Sequence, residues 1–105
     1  MTARWQYDSE REWQRIVVEY ANKYGWSVFH HQDSRRTTPG WPDLAMFRVP
    51  DFMLVELKTD TGKVSRHQRS VLEALEQCGV EVHVWRPLDE PEVMHRLGRD
   101  HRWKP

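Results

Sequence analysis

The chain has one cysteine, Cys78, in 105 residues. A lone cysteine excludes an internal disulfide and any cysteine-rich zinc framework, and it fits a reducing, cytosolic setting. Long apolar runs are also missing. None approaches the roughly 20 residues of a membrane span, and the opening MTARWQYDSE has no apolar region of the secretion-signal kind. Neither sign of charge dominates: 16 Lys and Arg balance 16 Asp and Glu, for a formal net charge of zero. Bulk charge therefore gives no drive to coat nucleic acid, though a local patch is not excluded. Repeats, low-complexity stretches and an interdomain linker are absent as well. Residues 1–105 read as a single domain with a core over about 9–97 and a loosely held tail at 98–105.

What is present is a succession of short, well-punctuated elements. From Ser9 to about Tyr24, Trp13, Ile16, Val17, Tyr20 and Tyr24 recur at helical spacing. Ser9 is a suitable N-cap with Glu12 at the capping-box position, and Gly25 stops the helix. Trp26 to His30 reads as a strand, followed by the polar loop HQDSRRTTPGWP. Asp43 to Arg48 and Phe52 to Lys58 are two further strands, and the short VPD turn between them predicts an antiparallel hairpin. After TDTGKV, Ser65 caps a second helix with Gln68 at its capping-box position and Gly79 at its end. Its expected apolar face is Val71, Leu72, Leu75 and Cys78. Val80 to Trp85 is the fourth strand, and LDEPEVMHRLGR holds a short third helix with Asp89 as a possible cap. The second helix is the crossover that lets the third and fourth strands run parallel. Most of the six tryptophans are expected in the core or in helix packing.

One place resists this plain reading. The third strand runs apolar from Phe52 to Val55 and then carries Glu56 and Lys58 on one face at its end. An unpaired buried charge costs several kcal/mol, so the pair is either a salt bridge at the sheet rim or a site. A hairpin would set Asp43 beside Glu56. Two carboxylates brought together raise each other's pKa unless a cation stands between them, and Mg²⁺ is typically held by one or two carboxylates with water and a phosphate. Glu10 continues the apolar stripe of the first helix, as a solvated helix end or as a site residue, while Glu12 already has a capping use. Gln68 edges the inner face of the second helix. His30 and His31, as strand neighbours, point to opposite faces and make a poor metal pair.

The segment GWPDLAMFRVPDFMLVELKTDTGKVSRHQ resembles the core of the PD-(D/E)xK nuclease superfamily, and within it the VRR-NUC domain. The matching features stand in order: Glu10, Gly25-Trp26, Ser34-Arg35-Arg36, Gly40-Trp41-Pro42-Asp43-Leu44, Glu56-Leu57-Lys58, Gly62 through Ser65 to Gln68, and Trp85 with Pro87. The resemblance implies an α/β, restriction-endonuclease-like αβββαβ core, with a central mixed four-stranded sheet flanked by helices and a short C-terminal helix. It also implies a Mg²⁺- or Mn²⁺-dependent endonuclease that hydrolyses phosphodiester bonds in branched DNA such as Holliday junctions or flaps. On that likeness Asp43, Glu56, the Leu57 carbonyl and Glu10 would hold metal, Lys58 would serve the attacking water and the phosphate, and Gln68 would position Lys58 or substrate. Ser34, Arg35, Arg36 and Lys63 would meet phosphates, and Trp41 would stack on or wedge against a base. A homodimer, a cytoplasmic setting with a phage or mobile-element origin, and no membrane partner complete the expectation. The alternative is a non-catalytic DNA-binding module that keeps the fold.

Overall fold

The computed structural model describes residues 9–31 and 39–99. In chain order they form α1 (Glu10–Lys23), β1 (Ser27–His30), β2 (Leu44–Arg48), β3 (Asp51–Leu57), α2 (Arg66–Gln77), β4 (Glu81–Trp85) and α3 (Glu90–Gly98), with a 3₁₀ turn over Pro87–Asp89 before α3. Local chemistry sets the helix ends. The Ser9 hydroxyl accepts the Glu12 amide at 3.0 Å, and Ser65 and Gln68 form the full reciprocal capping box on α2. Gly25 and Gly79 follow the two helices at φ +88° and +87°, the left-handed conformation that ends a helix with no steric penalty for glycine.

The strands lie in the order β1-β2-β3-β4. The first two neighbours pair antiparallel and β3 pairs with β4 parallel, because α2 carries the chain back between them. One sheet face presents Leu44, Met46, Met53, Val55, Leu57 and Trp85. It packs under Trp13, Val17 and Ala21 of α1 and under Val93 and Leu97 of α3 to make the core. Trp26, expected in β1, precedes that strand and is buried here, with its indole N–H on the Leu97 carbonyl at 2.9 Å. The Arg48 guanidinium lies over the Trp26 ring and donates to the Tyr24 and Leu97 carbonyls at 2.9 Å each, and to that of Arg99. One arginine thus satisfies carbonyls that the ends of α1 and α3 leave without intrahelical partners.

The opposite face is covered unevenly. Leu54 and Leu72 are buried, but Phe52 is 47% exposed, and Phe29 and Phe47 stack at 5.8 Å on open surface. Phe52 is therefore not part of a buried run. Phe52 pairs with Phe47 on one side, but the β3–β4 register begins only at Met53, so β4 does not flank it on the other. The expected apolar face of α2 shrinks to Leu72, the buried residue of that helix. Val71 and Leu75 are only half-buried, and Cys78 is exposed and free. Asp89 does not cap α3 with its side chain. It accepts instead from the Arg86 amide at 2.9 Å, closing the 3₁₀ turn. The tail from residue 100 onward lies outside the described residues, as do Trp5 and Trp103.

Candidate active site

The β2–β3 register pairs Leu44 with Val55, so the next position sets Asp43 opposite Glu56. Asp43 stands one residue before β2, not inside it, and its Oδ2 accepts the Leu57 amide at 2.8 Å. That bond replaces the ladder hydrogen bond the strand would otherwise make and fixes the carboxylate beside the end of β3. Lys58, expected as the last strand residue, follows β3 directly. Its amide donates to the Trp85 carbonyl at 3.1 Å. The Trp13 indole N–H shares that carbonyl at 3.0 Å. A single peptide oxygen therefore ties α1, one turn beyond Glu10, to the backbone of Lys58 and the end of β4. No sequence pattern announces a bond to a main-chain oxygen 72 residues away.

Glu56 is 2% exposed. Its Oε2 accepts from Gln68 Nε2 at 2.8 Å and lies 3.5 Å from Lys58 Nζ. Its Oε1 is buried with no partner. A buried carboxylate oxygen without a donor is costly, and this one sits among Asp43, Lys58 and Glu10. Burial, then the Asp43 charge, and further Glu10, push the Glu56 carboxyl up to about 7, against the pull of Lys58. Burial and Asp43 likewise raise Glu10, again opposed by Lys58. These couplings place Glu10 within electrostatic reach of the other three residues. Glu12 faces elsewhere: its carboxylate takes Arg15 at 2.7 Å and is held below its usual range by that hydrogen bond.

Gln68 serves two structures at once. Its amide oxygen accepts the Ser65 N–H at 2.9 Å while its own N–H donates to the Ser65 hydroxyl at 3.1 Å. With the oxygen committed to a donor, the amide NH₂ must face Glu56. The capping box read from the sequence is what orients Gln68 toward the carboxylate.

Gly40 brings the segment that leads into β2 against α2. It adopts φ +90°, and a Cβ there would fall 2.8 Å from the His67 carbonyl oxygen. This close approach seats Gly40 on the first turn of α2, and Trp41, two residues before Asp43, is 39% exposed. Lys63 is exposed in the loop that leads into α2. Ser34, Arg35 and Arg36 lie outside the described residues. His30 takes Gln14 at 3.2 Å, and His31 continues the β1–β2 ladder through its amide to the Asp43 carbonyl at 2.9 Å. Arg86, absent from the sequence expectation, donates from Nη1 to the carbonyls of Thr59 and Gly62 at 2.7 and 2.6 Å and so folds the chain that leaves Lys58.

Among the described residues, no three His, Cys, Asp or Glu side chains form a cluster that would hold a metal unaided. The donor set nevertheless fits Mg²⁺, which usually takes one or two carboxylates and fills its shell with water and phosphate. The orphaned Glu56 Oε1 opposite Asp43 is the open donor such an ion would use. No helix among the described residues is long and apolar enough to cross a membrane.

Comparison with known proteins agrees with this architecture. A solved VRR_NUC domain protein superposes with a TM-score of 0.64 over 86% of this chain and 90% of its own, at 19% identity. That identity speaks for the fold alone. No curated protein matches the sequence. The family model described as the VRR-NUC domain matches residues 2–87, which include Glu10, Asp43, Glu56, Lys58 and Gln68. With its sheet, its helices and most of its length accounted for in this way, the chain belongs to the VRR-NUC family of nuclease-type, DNA-processing domains.

Proposed function

We propose that this domain is a Mg²⁺- or Mn²⁺-dependent endonuclease that hydrolyses phosphodiester bonds in branched DNA, with four-way junctions and flaps as its substrates. The observation that carries the reading is Glu56. It is a buried carboxylate with one oxygen orphaned, in a place where Asp43, Glu10 and Lys58 are already gathered. Such a cluster is a poor structural element and a good half of a metal–phosphate site.

Asp43 and Glu56 would hold the ion, with the Leu57 carbonyl as a further donor and Glu10 reaching it directly or through water. When bound, the ion supplies a Lewis acid that polarises the phosphate and makes water more acidic. Gln68 pins Glu56 Oε2 and leaves Oε1 free to face the site. The Lys58 ammonium, held over the same carboxylate, orients the attacking water and offsets charge gathering on the phosphate oxygens. Trp41 borders the site as a stacking or wedging surface, and Lys63 with Ser34, Arg35 and Arg36 meets the backbone without reading sequence. Two symmetric cuts across a junction require two sites, hence a homodimer. The free thiol of Cys78 fits a reducing, intracellular setting where DNA is found.

The test incubates purified protein with Mg²⁺ or Mn²⁺ and a panel of four-way junctions, flaps, nicked and linear duplexes, with light scattering for the oligomer. Cleavage of a branched substrate by wild type and its loss in Asp43→Asn are expected. Failure to cut any member of the panel, or equal cutting by Asp43→Asn, defeats the proposal.

A further inference from the structure

Helix α2 carries its charges against its own dipole. Its first turn contains no acid and its last turn no base. Arg66 and Arg69 stand at the positive end, while Glu73 and Glu76 stand toward the negative end. Each placement weakens the helix. Spacings of three, four and three residues put all four on one stripe, and all four are exposed. Arg69 preceding Glu73 by four is also the weaker orientation for a helical ion pair. None of the ion pairs among the described residues involves Lys63, Arg66 or Arg69. The fold gains nothing from this order, which directs attention to something the helix binds.

The basic end is also the end at the site. Gln68, between the two arginines in sequence, donates to Glu56. The Gly40 loop, with Trp41 beside it, is seated on His67 in the same turn. The Gln68 amide is already taken by the Ser65 hydroxyl, so the patch rests on charged side chains rather than on that amide. A net charge of zero for the whole chain thus conceals a cationic cluster at the end of α2 whose inner face, through Gln68, meets the site.

We infer that Lys63, Arg66 and Arg69 form a surface that grips the phosphodiester backbone of the nucleic acid lying across the site, with the acidic half of α2 outside the contact. Naming that polyanion as DNA rests on the nuclease reading. The arginines are binding residues and take no part in bond cleavage.

The test measures fluorescence anisotropy of labelled duplex and four-way junction DNA in EDTA, so that no cutting is required. It compares wild type, Arg66→Gln/Arg69→Gln and Glu73→Gln/Glu76→Gln across salt, with thermal melting of each. Loss of two phosphate contacts should lower the slope of log K against log salt by about 1.8 in the arginine variant. The glutamate variant should keep the wild-type slope. Both variants should melt a few degrees higher, roughly 2–6 °C, because each relieves an unfavourable charge at a helix end. Weaker DNA binding together with higher stability is the signature of the proposal. Wild-type slope and affinity in the arginine variant would overturn it while leaving the nuclease reading intact, as would a lower melting temperature there. Absence of salt-dependent DNA binding by wild type would defeat the nuclease reading and this surface together.

Discussion

Replacing Glu56 by glutamine should stabilise the metal-free protein at alkaline pH and destabilise it at acid pH, while abolishing cleavage. The Glu56 carboxyl titrates at about 7, against 4.5 for an ordinary glutamate, chiefly because it is buried and faces Asp43. At 1.36 kcal/mol per unit, a gap of about 2.5 units is a penalty of about 3 kcal/mol on the folded state. A raised carboxyl pKa means that the folded protein binds the proton more tightly than the unfolded chain does. Below pH 4.5 both states carry the proton and the penalty is absent. It grows as pH rises from 4.5 to 7 and is complete above that range. Glutamine removes the charge and can still accept from Gln68 through its oxygen, but its NH₂ then occupies the partnerless position of Oε1, at a cost of about 1–2 kcal/mol. At pH 5 nearly 1 kcal/mol of the penalty is already present, so Glu56→Gln is more stable by about 1–2 kcal/mol at pH 8 and less stable by at most about 1 kcal/mol at pH 5. Urea unfolding in EDTA at the two pH values measures this directly. A gap of equal size and sign at both would refute the reasoning, as would a less stable variant at pH 8. Added Mg²⁺ should stabilise wild type and leave the variant unchanged.

Three further outcomes are expected. Asp43→Asn keeps an oxygen for the Leu57 amide and should unfold within about 1 kcal/mol of wild type. It should nevertheless cut at least about a hundredfold more slowly, the loss of several kcal/mol of charge stabilisation at the phosphate; urea curves and single-turnover rates report the two separately. Gln68→Glu preserves the capping box but trades the donor to Glu56 for a second carboxylate. Cleavage should fall on the order of 10–150-fold, matching about 1.5–3 kcal/mol for a hydrogen bond to a charged group, and the acid limb of the pH–rate profile should move to higher pH. Arg96→Met strips the guanidinium from buried Asp51 and from Glu81 and should cost about 3–5 kcal/mol in urea unfolding at pH 7. Burial alone would raise Glu81, but the hydrogen bonds from Arg96 and His83 outweigh it and hold the group at about 2. Its stabilising share is therefore present above pH 4.5 and lost as pH falls toward 2, so the deficit of the variant should shrink in acid.

Helix and strand positions were legible because local rules decide them. Ser9, Ser65, Gly25 and Gly79 bracket two helices as expected, and a short hairpin link and the α2 crossover set the mixed sheet, although Asp51, expected in the turn, pairs with Arg48 as the first residue of β3 and leaves a link of two residues. Strand ends shifted by a residue: Asp43 and Lys58 fall just outside their strands, because side-chain and cross-strand bonds replace the ladder there. Burial was less legible. Phe52 and Cys78 have the composition of core positions and are exposed: Phe52 precedes the stretch of β3 that β4 flanks, and Cys78 stands at the C-terminal end of α2. Periodicity reports which residues share a face and says nothing about whether a partner covers it.

The sequence alone determined the order of elements and the facing of Asp43 and Glu56, because strand parity, hairpin register and capping are short-range. Only the tertiary structure decided the state of those residues. It buried Glu56 with one oxygen unpartnered, turned the Gln68 amide toward it, and brought α1, β3 and β4 together at the Trp85 carbonyl. Those are consequences of packing between segments far apart in the chain, where desolvation and geometry, rather than spacing, set the energy of a charge.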